Sequence, residues 1–521
     1  MNRKKINKKK KRSRNTGSLA FSLFGIMILT AGVLFVYIFD LGVLPVKYLT
    51  VFGAVIGGGA LINVLLLLFA KKRRKPKLNT VSGILSTMFV IAAVFGLFFL
   101  KNLYGSLEEI ADDKEYITVN LYVKADSQYT DINELSPSQK LGIRSIIDIE
   151  NTQSALEDLR EKIGFKFDEK EYVDFTSQVE ALLNDEVDFI LLNDGFLDMV
   201  SEIWPDFEYR TKVIYAHKIE IDPEQIKKSD IKVTEEPFCI LVSGLDSRGR
   251  GEIRNSGNSD VNIVIAVNPE TKKILMINIP RDFYVPLNGS SSKMDKLTHA
   301  GNYGVESSVK TIESLLGLEI QYYVKVNFYS VVNIVDALGG ITVNSEHSFR
   351  SLAGINERTY YSFKKGENKL NGDQALAFSR ERSSFSAGDR TRGKNQMAVI
   401  KAVMDKIVSP AIITSFSGVL KSITSNTKTN FSIEEINALI QMQLTDMASW
   451  EIKTISVNGS GASRATYSYG SEKLSVIVPD KKTITAAKNE LNRVLVKTDE
   501  KENIFRRSGK YAQYMTEEEE E

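Results

Sequence analysis

The sequence predicts three N-terminal transmembrane helices followed by two extracytoplasmic α/β domains, and three observations lead to this fold class. Apolar runs of about 20 residues, the length that spans a bilayer, occupy Leu19–Phe39, Leu49–Ala70 and Val81–Leu100. Basic residues flank these runs asymmetrically. Beyond them, strand and helix patterns alternate along a chain of 521 residues, which is more than a single hydrophobic core supports.

The three apolar runs have the properties of membrane-spanning helices. Each is long enough to cross a hydrocarbon core of about 30 Å. None carries a charge at its centre, where a charge would cost about 2.5–3.5 kcal/mol on insertion scales. A cleavable signal peptide is not expected, because three runs follow one another and the first lacks an Ala-x-Ala-like cleavage site.

The orientation follows from the basic residues. The arm formed by residues 1–17 begins "MNRKKINKKKKRSR", and the loop Lys71–Lys77 reads "KKRRKPK", whereas the connection Asp40–Lys47 carries a single lysine. The positive-inside rule places the arm and the Lys71–Lys77 loop in the cytoplasm, so the third helix delivers everything after Lys101 to the outside. The alternative, a nucleic-acid-binding arm of a transcriptional regulator, lacks any helix-turn-helix pattern in the cytosolic segments.

Composition excludes some kinds of site. The net charge of +2 does not by itself indicate a polyanionic partner. The single cysteine, Cys239, lies in the apolar run "FCILVSGL", which excludes an intrachain disulfide framework and predicts a buried side chain. With three histidines in the chain, a metal site built from histidines is not expected.

Residues 105–235 are predicted to form an accessory α/β domain. The patterns indicate the order β-α-α-β-β, with a helix in "SALEDLREKIG" that stops at its glycine. This order is similar to one lobe of an extracellular solute-binding domain. No set of catalytic residue types stands out in it, so an interaction or spacing role is expected.

Residues 236–496 are predicted to form the second domain. Three strands rich in Val and Ile, "FCILVSGL", "VNIVIAVNP" and "KILMINIP", open it, and the first two are continuous enough to be buried on both faces. Helical patterns follow, among them "NQMAVIKAVMDKIVS" and a helix capped by Ser432 and Glu435. The charged segment 497–521 is predicted to be disordered.

Side chains suited to a highly anionic, metal-bound group such as a diphosphate concentrate in this second domain. The segment "AFSRERSSFSAGDRTRGKNQ" holds five cations: Arg380, Arg382, Arg390, Arg392 and Lys394. Asp246, Asp260 and Arg281 each stand near the end of a predicted strand. Guanidinium groups match phosphate oxygens, and paired carboxylates hold a hard divalent cation.

Each of these residues also has a structural alternative. The arginine-rich segment could be a solvated basic loop, and Asp246 and Asp260 could cap turns. Arg281 could be an ion-pair partner of Asp282 or Asp260. His299, in "LTHAG", is predicted to be a packing residue rather than a catalytic base.

These motifs resemble the LytR–CpsA–Psr family of cell-wall glycopolymer ligases. The resemblance spans roughly 236–496 and rests on motifs in family order, namely "GLDSRGRGEIRNSGNSDVN", "INIPRDFYVPL", "MDKLTHAGNYG", "DALGGITVN", "LNGDQALAFSRERSSFSAGDRTRGKNQ" and "GSEKLSVIVPD". It implies a mixed central sheet with helices on both faces. The arrangement of three membrane spans and an accessory domain before the family domain is similar to that of the capsule-associated, streptococcal-type subgroup.

The resemblance also implies a reaction and a site. The substrate would be a polysaccharide of capsular type on a polyprenyl diphosphate carrier, transferred to peptidoglycan with release of polyprenyl phosphate. Asp246 and Asp260 would hold Mg²⁺, Asp246 and Arg281 would be catalytic, and either aspartate could take the proton of the acceptor hydroxyl. The diphosphate would be bound by Lys296, Arg380, Arg382, Arg392 and Gln396.

The chain departs from the family pattern at two positions. Asn258 stands where many relatives have an arginine two residues before the second aspartate, although Arg254 could reach in, and Asn395 replaces the arginine that often precedes the final glutamine. The alternative function is a non-catalytic regulator that binds the lipid-linked precursor. Other capsule-assembly proteins are possible partners, and nucleic acid is not expected as one.

Overall fold

The structure is a computed structural model that describes residues 2–40, 45–73, 75–111, 115–145, 148–221, 231–245, 257–288, 293–352, 359–386, 388–409, 427–470 and 473–496, with isolated positions between 412 and 422. It divides into two compact units, residues 1–111 together with 432–447, and residues 112–431 together with 448–521. The first unit contains the membrane helices and the second contains the accessory and family domains.

Three long helices form most of the first unit, and they are α1 (Asn2–Asp40), α2 (Val46–Lys72) and α3 (Pro76–Ala111). Their apolar segments, Thr16–Asp40, Val46–Lys72 and Pro76–Phe98, are long and apolar enough to cross a membrane. The buried side chain of Asn63 in α2 accepts hydrogen bonds from Ser82 at 2.8 Å and Ser86 at 3.3 Å, both in α3. Such polar contacts, together with close packing, hold helices together in lipid.

The accessory domain is a five-stranded sheet covered on both faces. Its elements are β1 (Glu115–Lys124), β2 (Lys140–Arg144), α4 (Ile149–Ile163), β3 (Asp168–Tyr172), α5 (Phe175–Leu183), β4 (Phe189–Asn193), α6 (Leu197–Ile203), α7 (Phe207–Arg210) and β5 (Thr211–Ile221). The strand order is β3-β2-β4-β1-β5. Leu156 of α4 and Val179 of α5 belong to separate buried clusters of this domain.

The predicted order of the accessory domain omitted β2 and β3. The edge strand β3 reads "DEKEY" and carries no aliphatic residue, and β2 is short and has a glycine at its centre. Pairing with neighbouring strands therefore determines their conformation more than side-chain pattern does. The predicted glycine stop of α4 is confirmed at Gly164, which adopts φ 76°.

The family domain contains a mixed six-stranded sheet, as expected. Its strands are β6 (Phe238–Leu245), β7 (Ser259–Asn268), β8 (Lys273–Ile279), β9 (Tyr284–Pro286), β10 (Met294–Lys296), β11 (Tyr322–Val326), β12 (Ile341–Ser345), β13 (Phe349–Ser351), β14 (Tyr361–Phe363), β15 (Gly366–Leu370), β16 (Thr427–Thr429), β17 (Glu451–Ser456), β18 (Gly459–Ala465) and β19 (Lys473–Pro479). The central sheet has the order β16-β11-β6-β7-β8-β17, in which β11 and β17 run parallel to their inner neighbours.

Helices lie on both faces of this sheet. The helices of this domain are α8 (Val305–Leu316), α9 (Phe328–Ala337), α10 (Gly372–Arg380), α11 (Asp389–Ile407) and α13 (Lys481–Leu495), and the chain between α11 and α13 also contains α12 (Ile433–Asp446). Ile312 of α8 and Leu491 of α13 pack in one cluster with Ile277 of β8. On the opposite face, Gly393 of α11 lies so close to Asn278 that an added Cβ would be 2.7 Å from its side-chain nitrogen.

The helix α12 belongs to the membrane unit, although its sequence lies within the family region. Its predicted capping box between Ser432 and Glu435 is confirmed. At its other end, Lys47 donates to the carbonyl of Thr445 at 2.5 Å and Tyr48 donates to that of Leu444 at 3.3 Å. These donors satisfy carbonyls that a helix end leaves without an intrahelical partner.

Candidate functional site

Two antiparallel strands bring Asp260 and Arg281 to one edge of the central sheet. Asp260 is the second residue of β7, and Arg281 follows the end of β8 at Ile279. Asn262 pairs with Ile279, so the start of β7 and the end of β8 lie side by side. Residues distant in sequence are therefore adjacent in space.

The side chains of Arg281 and Asp260 form an ion pair, with 2.7 Å between Nη1 and Oδ1. Thr298 donates its hydroxyl to the same oxygen at 3.3 Å, and its N–H donates to the Arg281 carbonyl at 2.8 Å. The two charged side chains are only 23% and 17% exposed, so solvent screens this pair less than a surface pair. The ion pair between Arg281 and Asp260 is also the contact expected if Arg281 has a purely structural role.

Lys296 reaches this pair through a second carboxylate. Its Nζ lies 3.1 Å from Asp282 Oδ1, and Asp282 Oδ2 lies 3.9 Å from Arg281 Nε. The structure thus places Lys296 in a chain of alternating charges that ends at Asp260. Lys296 does not line the cavity described next.

A cavity of about 130 Å³ opens beside the ion pair. Its charged and amide-bearing lining residues from β7, the turn after β8 and α11 are Asp260, Arg281, Arg390, Arg392, Lys394 and Gln396. Four of these were predicted site residues, namely Asp260, Arg281, Arg392 and Gln396. Cations outnumber the single carboxylate, and the first turns of a 19-residue helix add a partial positive charge.

The arginine-rich segment has more helix than the sequence patterns indicated. The helix α11 begins at Asp389, whereas the pattern placed its start at Asn395. Arg390, Arg392 and Lys394 therefore stand on the first turns of a helix, which holds them more firmly than a loop would. Their high charge and the glycine among them concealed the helical periodicity.

Besides Lys296, two further predicted diphosphate ligands lie outside the cavity. Arg380 ends α10 and is partly buried, and Arg382 is exposed two residues later. Between them Glu381 is buried and accepts from the Ser384 N–H at 2.9 Å. Neither Arg380 nor Arg382 is among the residues that line the cavity beside Asp260 and Arg281.

Some lining residues were missed by sequence reasoning. Asn278 lies near the end of the buried strand β8 and Ser456 ends the edge strand β17, and Asn458 follows in "VNG". Thr298, which contacts Asp260 from outside the cavity lining, was also missed, because the short 3-10 helix Leu297–Tyr303 in which it lies has no periodic sequence signal. The polar residues at the ends of β8 and β17 were the signal that could have found the first two.

Asn258 and Asn395, the two departures from the family pattern, both make buried structural contacts. Asn395 donates its amide to the carbonyl of Phe378 at 3.2 Å, which joins α11 to α10. Asn258 accepts from Asn302 at 3.0 Å. Neither side chain lines the cavity.

His299 is a buried packing residue, as predicted. Its Nδ1 lies 2.6 Å from Asp295 Oδ1, and Asp295 Oδ2 accepts from the hydroxyl and the N–H of Ser468 at 2.5 and 2.8 Å. Asp295 also accepts from the N–H of Lys296. This buried network fixes the backbone that carries Lys296.

The part of the chain that the structure describes contains no cluster of three or more His, Cys, Asp or Glu side chains that could hold a metal ion. Asp246 and Arg254 lie outside the described residues. Leu245, the residue before Asp246, pairs with Ser259, the residue before Asp260. The donor chemistry that remains is the Asp260 carboxylate, a hard oxygen ligand of the kind that Mg²⁺ takes.

The fold and the cavity define the class of this protein: it is anchored in the membrane and carries a cationic cavity in an α/β domain. Residues 207–492 match the LytR_cpsA_psr family model. The chain belongs to this family. Its family domain is extracytoplasmic, and the predicted membrane anchor and fold class are confirmed.

The chain is similar in sequence to several proteins whose names describe them as teichoic acid–peptidoglycan transferases. The polyisoprenyl-teichoic acid–peptidoglycan teichoic acid transferase TagU of Bacillus licheniformis is 38% identical over 214 residues, which cover 40% of this chain and 66% of the relative. The Bacillus subtilis protein of the same name is 37% identical over 217 residues, or 41% of this chain and 67% of the relative. The chain thus spans about two thirds of these relatives' length.

The family domain is also similar to solved structures. The crystal structure of B. subtilis TagV is 29% identical and covers 50% of this chain and 98% of that protein, with a TM-score of 0.42. The crystal structure of B. subtilis TagU is 31% identical and covers 51% of this chain and 99% of that protein, with a TM-score of 0.39.

Proposed function

We propose that this protein is an extracytoplasmic ligase that transfers a glycopolymer from a polyprenyl diphosphate carrier to peptidoglycan. The observation that carries the proposal is the cavity in which Asp260 and Arg281 face three further cations of α11. Family membership and the names of the relatives agree with it. The capsular type of the polymer is proposed from the three apolar helices and the accessory domain that precede the family domain.

The cavity suits a diphosphate by charge and by geometry. Arg281, Arg390 and Arg392 offer planar guanidinium groups, which bind phosphate oxygens through paired N–H donors. Gln396 adds a neutral amide donor one turn along α11 from Arg392. Lys394 also pairs with Glu346 at 2.8 Å, so its charge is partly balanced from outside.

Mg²⁺ is proposed as the cofactor, held by Asp260 and by Asp246. Bound there, the ion would neutralise charge on the diphosphate. Asp260 fits this role because one of its oxygens, Oδ1, is already oriented by Arg281 and Thr298. We further propose that Lys296, Arg380 and Arg382 bind the diphosphate from outside the cavity lining, because all three stand in motifs that match the family.

The proposed reaction breaks a phosphoanhydride bond and forms a phosphoester bond. A sugar hydroxyl of peptidoglycan attacks the phosphorus that carries the glycan, the anhydride bond breaks, and its electron pair leaves with polyprenyl phosphate. The hydroxyl proton passes to a carboxylate, for which Asp260 and Asp246 are the candidates. Because the leaving group is already good, the protein mainly positions the reactants and neutralises charge.

The test uses the full chain in detergent with a short polyprenyl diphosphate glycan, Mg²⁺ and peptidoglycan. Release of polyprenyl monophosphate is followed by mass spectrometry. We expect release that Arg281→Ala abolishes and that Arg464→Ala preserves, because Arg464 is exposed on β18 and lies outside the cavity. Tight binding of the lipid-linked glycan without release would overturn the ligase and establish the precursor-binding regulator.

A further inference from the structure

The accessory domain directly contacts the segment that leads into Asp260. Asp198, on the short helix α6 of the accessory domain, accepts a hydrogen bond from the N–H of Asn258 at 3.3 Å through Oδ2. The same oxygen would lie 3.1 Å from a Cβ added at Gly257. The carboxylate of Asp198 is therefore packed against two consecutive residues of the family domain.

The segment Gly257–Asn258 is also held from its other side. Asn302 donates to Asn258 Oδ1 at 3.0 Å and lies 2.9 Å from the sulfur of Met199, the residue after Asp198. The N–H of Gly257 donates to the carbonyl of Gly301 at 3.2 Å. A Cβ on Gly301 would lie 2.3 Å from the carbonyl oxygen of Gly257, so this approach requires glycine.

A short, rigid path joins this clamp to Asp260. Asn258 is buried, and only Ser259 separates it from the aspartate. Ser259 is itself buried, and its hydroxyl contacts Ser243 at 2.7 Å and Asn262 at 2.9 Å. Because one residue separates Asn258 from Asp260, we expect a displacement of Asn258 to reach the backbone of Asp260.

We propose that Asp198 is a positioning residue, through which the accessory domain sets the place of the Asp260 carboxylate by holding the N–H of Asn258. The inference rests on the proposed function for the part that concerns turnover. It gives the accessory domain a direct role in the site. It also gives Asn258 a structural role, because its backbone N–H donates to Asp198 while its side-chain oxygen accepts from Asn302.

The chain offers a matched control on the same helix. Glu202 stands one turn after Asp198 on α6 and also bonds to the family domain, where it accepts from the hydroxyl of Tyr469 at 2.8 Å. Glu202→Ala removes a contact between the domains but leaves the Asn258 segment held. Asp198→Asn retains a side-chain oxygen that can accept from the N–H, whereas Asp198→Ala does not.

The first readout is hydrogen exchange of the full chain in detergent without metal, resolved for the amides of Asn258, Val261 and Asn262. In Asp198→Ala we expect all three to exchange about tenfold faster, the equivalent of one lost hydrogen bond of about 1.4 kcal/mol. In Asp198→Asn and Glu202→Ala the rates stay within about twofold of the unaltered chain, since the bond to Asn258 is kept. Faster exchange confined to Asn258, or equal in Asp198→Ala and Glu202→Ala, would overturn the proposal.

The second readout is polyprenyl monophosphate release. We expect Asp198→Ala to lower the turnover number about 10- to 100-fold with little change in KM, because a misplaced carboxylate costs rate rather than binding. Glu202→Ala is expected to keep full turnover. If the unaltered chain releases nothing, the ligase fails, while the exchange data still decide whether Asp198 positions Asp260. Full turnover in Asp198→Ala would overturn the proposal.

Discussion

Arg281 and Asp260 are joined by a 2.7 Å contact between Nη1 and Oδ1 at one edge of the central sheet. The same carboxylate oxygen also accepts from Thr298. Arg281 therefore both orients a candidate metal ligand and contributes a charge to the cavity. This geometry would be the same if Arg281 only paired with Asp260 or if it also bound the substrate. A substitution that keeps the charge of Arg281 but changes the shape of its side chain distinguishes these two roles.

The first prediction concerns Arg281→Lys. Lysine keeps the charge but loses the planar fork that can contact Asp260 and a phosphate together. We expect polyprenyl monophosphate release to fall about 10²–10³-fold, as for the loss of one charge-assisted donor, with a melting temperature close to that of the unaltered chain. Equal turnover of the two proteins would show that Arg281 serves as a structural partner of Asp260 and does not touch the substrate.

The second prediction concerns the departure at Asn395. Its buried amide donates to the Phe378 carbonyl, away from the cavity. We expect Asn395→Arg, which restores the residue common in relatives, to lower the melting temperature without raising turnover, because a guanidinium here would be buried beside a helix. Thermal unfolding and the release assay check this. Increased turnover with unchanged stability would show that the cavity lacks one phosphate contact.

The membrane helices, the strands of the central sheet and part of the site could be predicted because each has a local signal. Apolar length identifies a membrane span, and continuous runs such as "VNIVIAVNP" identify a buried strand. Asp260 and Arg281 were found because they stand at strand ends, where side chains of adjacent strands meet. The pairing of Asn262 with Ile279, which brings them together, is a long-range relationship.

The elements that were missed depend on tertiary contacts. The strand β3 has no apolar alternation, and its conformation follows from parallel pairing with β2. The start of α11 is concealed by charged residues whose helical placement follows from packing against β8 and β17. The contact of Asp198 with Asn258 joins two domains, and no local pattern in either segment indicates it.

The third prediction concerns pH and the buried carboxylate of Asp295. Burial by itself raises its pKa, but the interactions with His299, Ser468 and the Lys296 N–H outweigh burial and hold the pKa below its usual range. A lowered pKa means that the folded state favours the ionised form. The stabilisation is thus fully present above the unfolded-state pKa of about 3.9 and is lost as pH falls through the folded-state value.

The expected result is a melting-temperature difference between the unaltered chain and Asp295→Asn that shrinks as the pH falls below about pH 4. Asp405→Asn serves as the control, because Asp405 forms an exposed ion pair with Lys401 and such pairs contribute little. A difference that does not change down to pH 3 would show that the Asp295 contribution is steric rather than ionic.

The last prediction concerns Arg144, a buried cation at the end of β2. Its three guanidinium nitrogens have no hydrogen-bond partner in the described part of the chain, and its Cζ lies 4.3 Å from the ring centre of Phe196. Burial lowers the pKa of this guanidinium, although the charges of Asp148 and Asp174 oppose that effect. A cation–π contact that is shielded from water returns about 2 kcal/mol, which is less than the cost of burying a charge without hydrogen bonds.

We therefore expect Arg144→Met, which keeps the length of the side chain and removes its charge, to raise the free energy of unfolding, because a buried charge without hydrogen bonds costs more than the cation–π contact returns. Arg160→Met is the matched control on the neighbouring helix α4, because Arg160 forms an ion pair with Glu169 on β3. That substitution is expected to lower stability by up to about 1 kcal/mol. Urea denaturation of the three full-length proteins in detergent measures both effects. Loss of stability in Arg144→Met would mean that attraction to Asp148 and Asp174 exceeds the cost of burying the guanidinium, so that this cation stabilises the accessory domain.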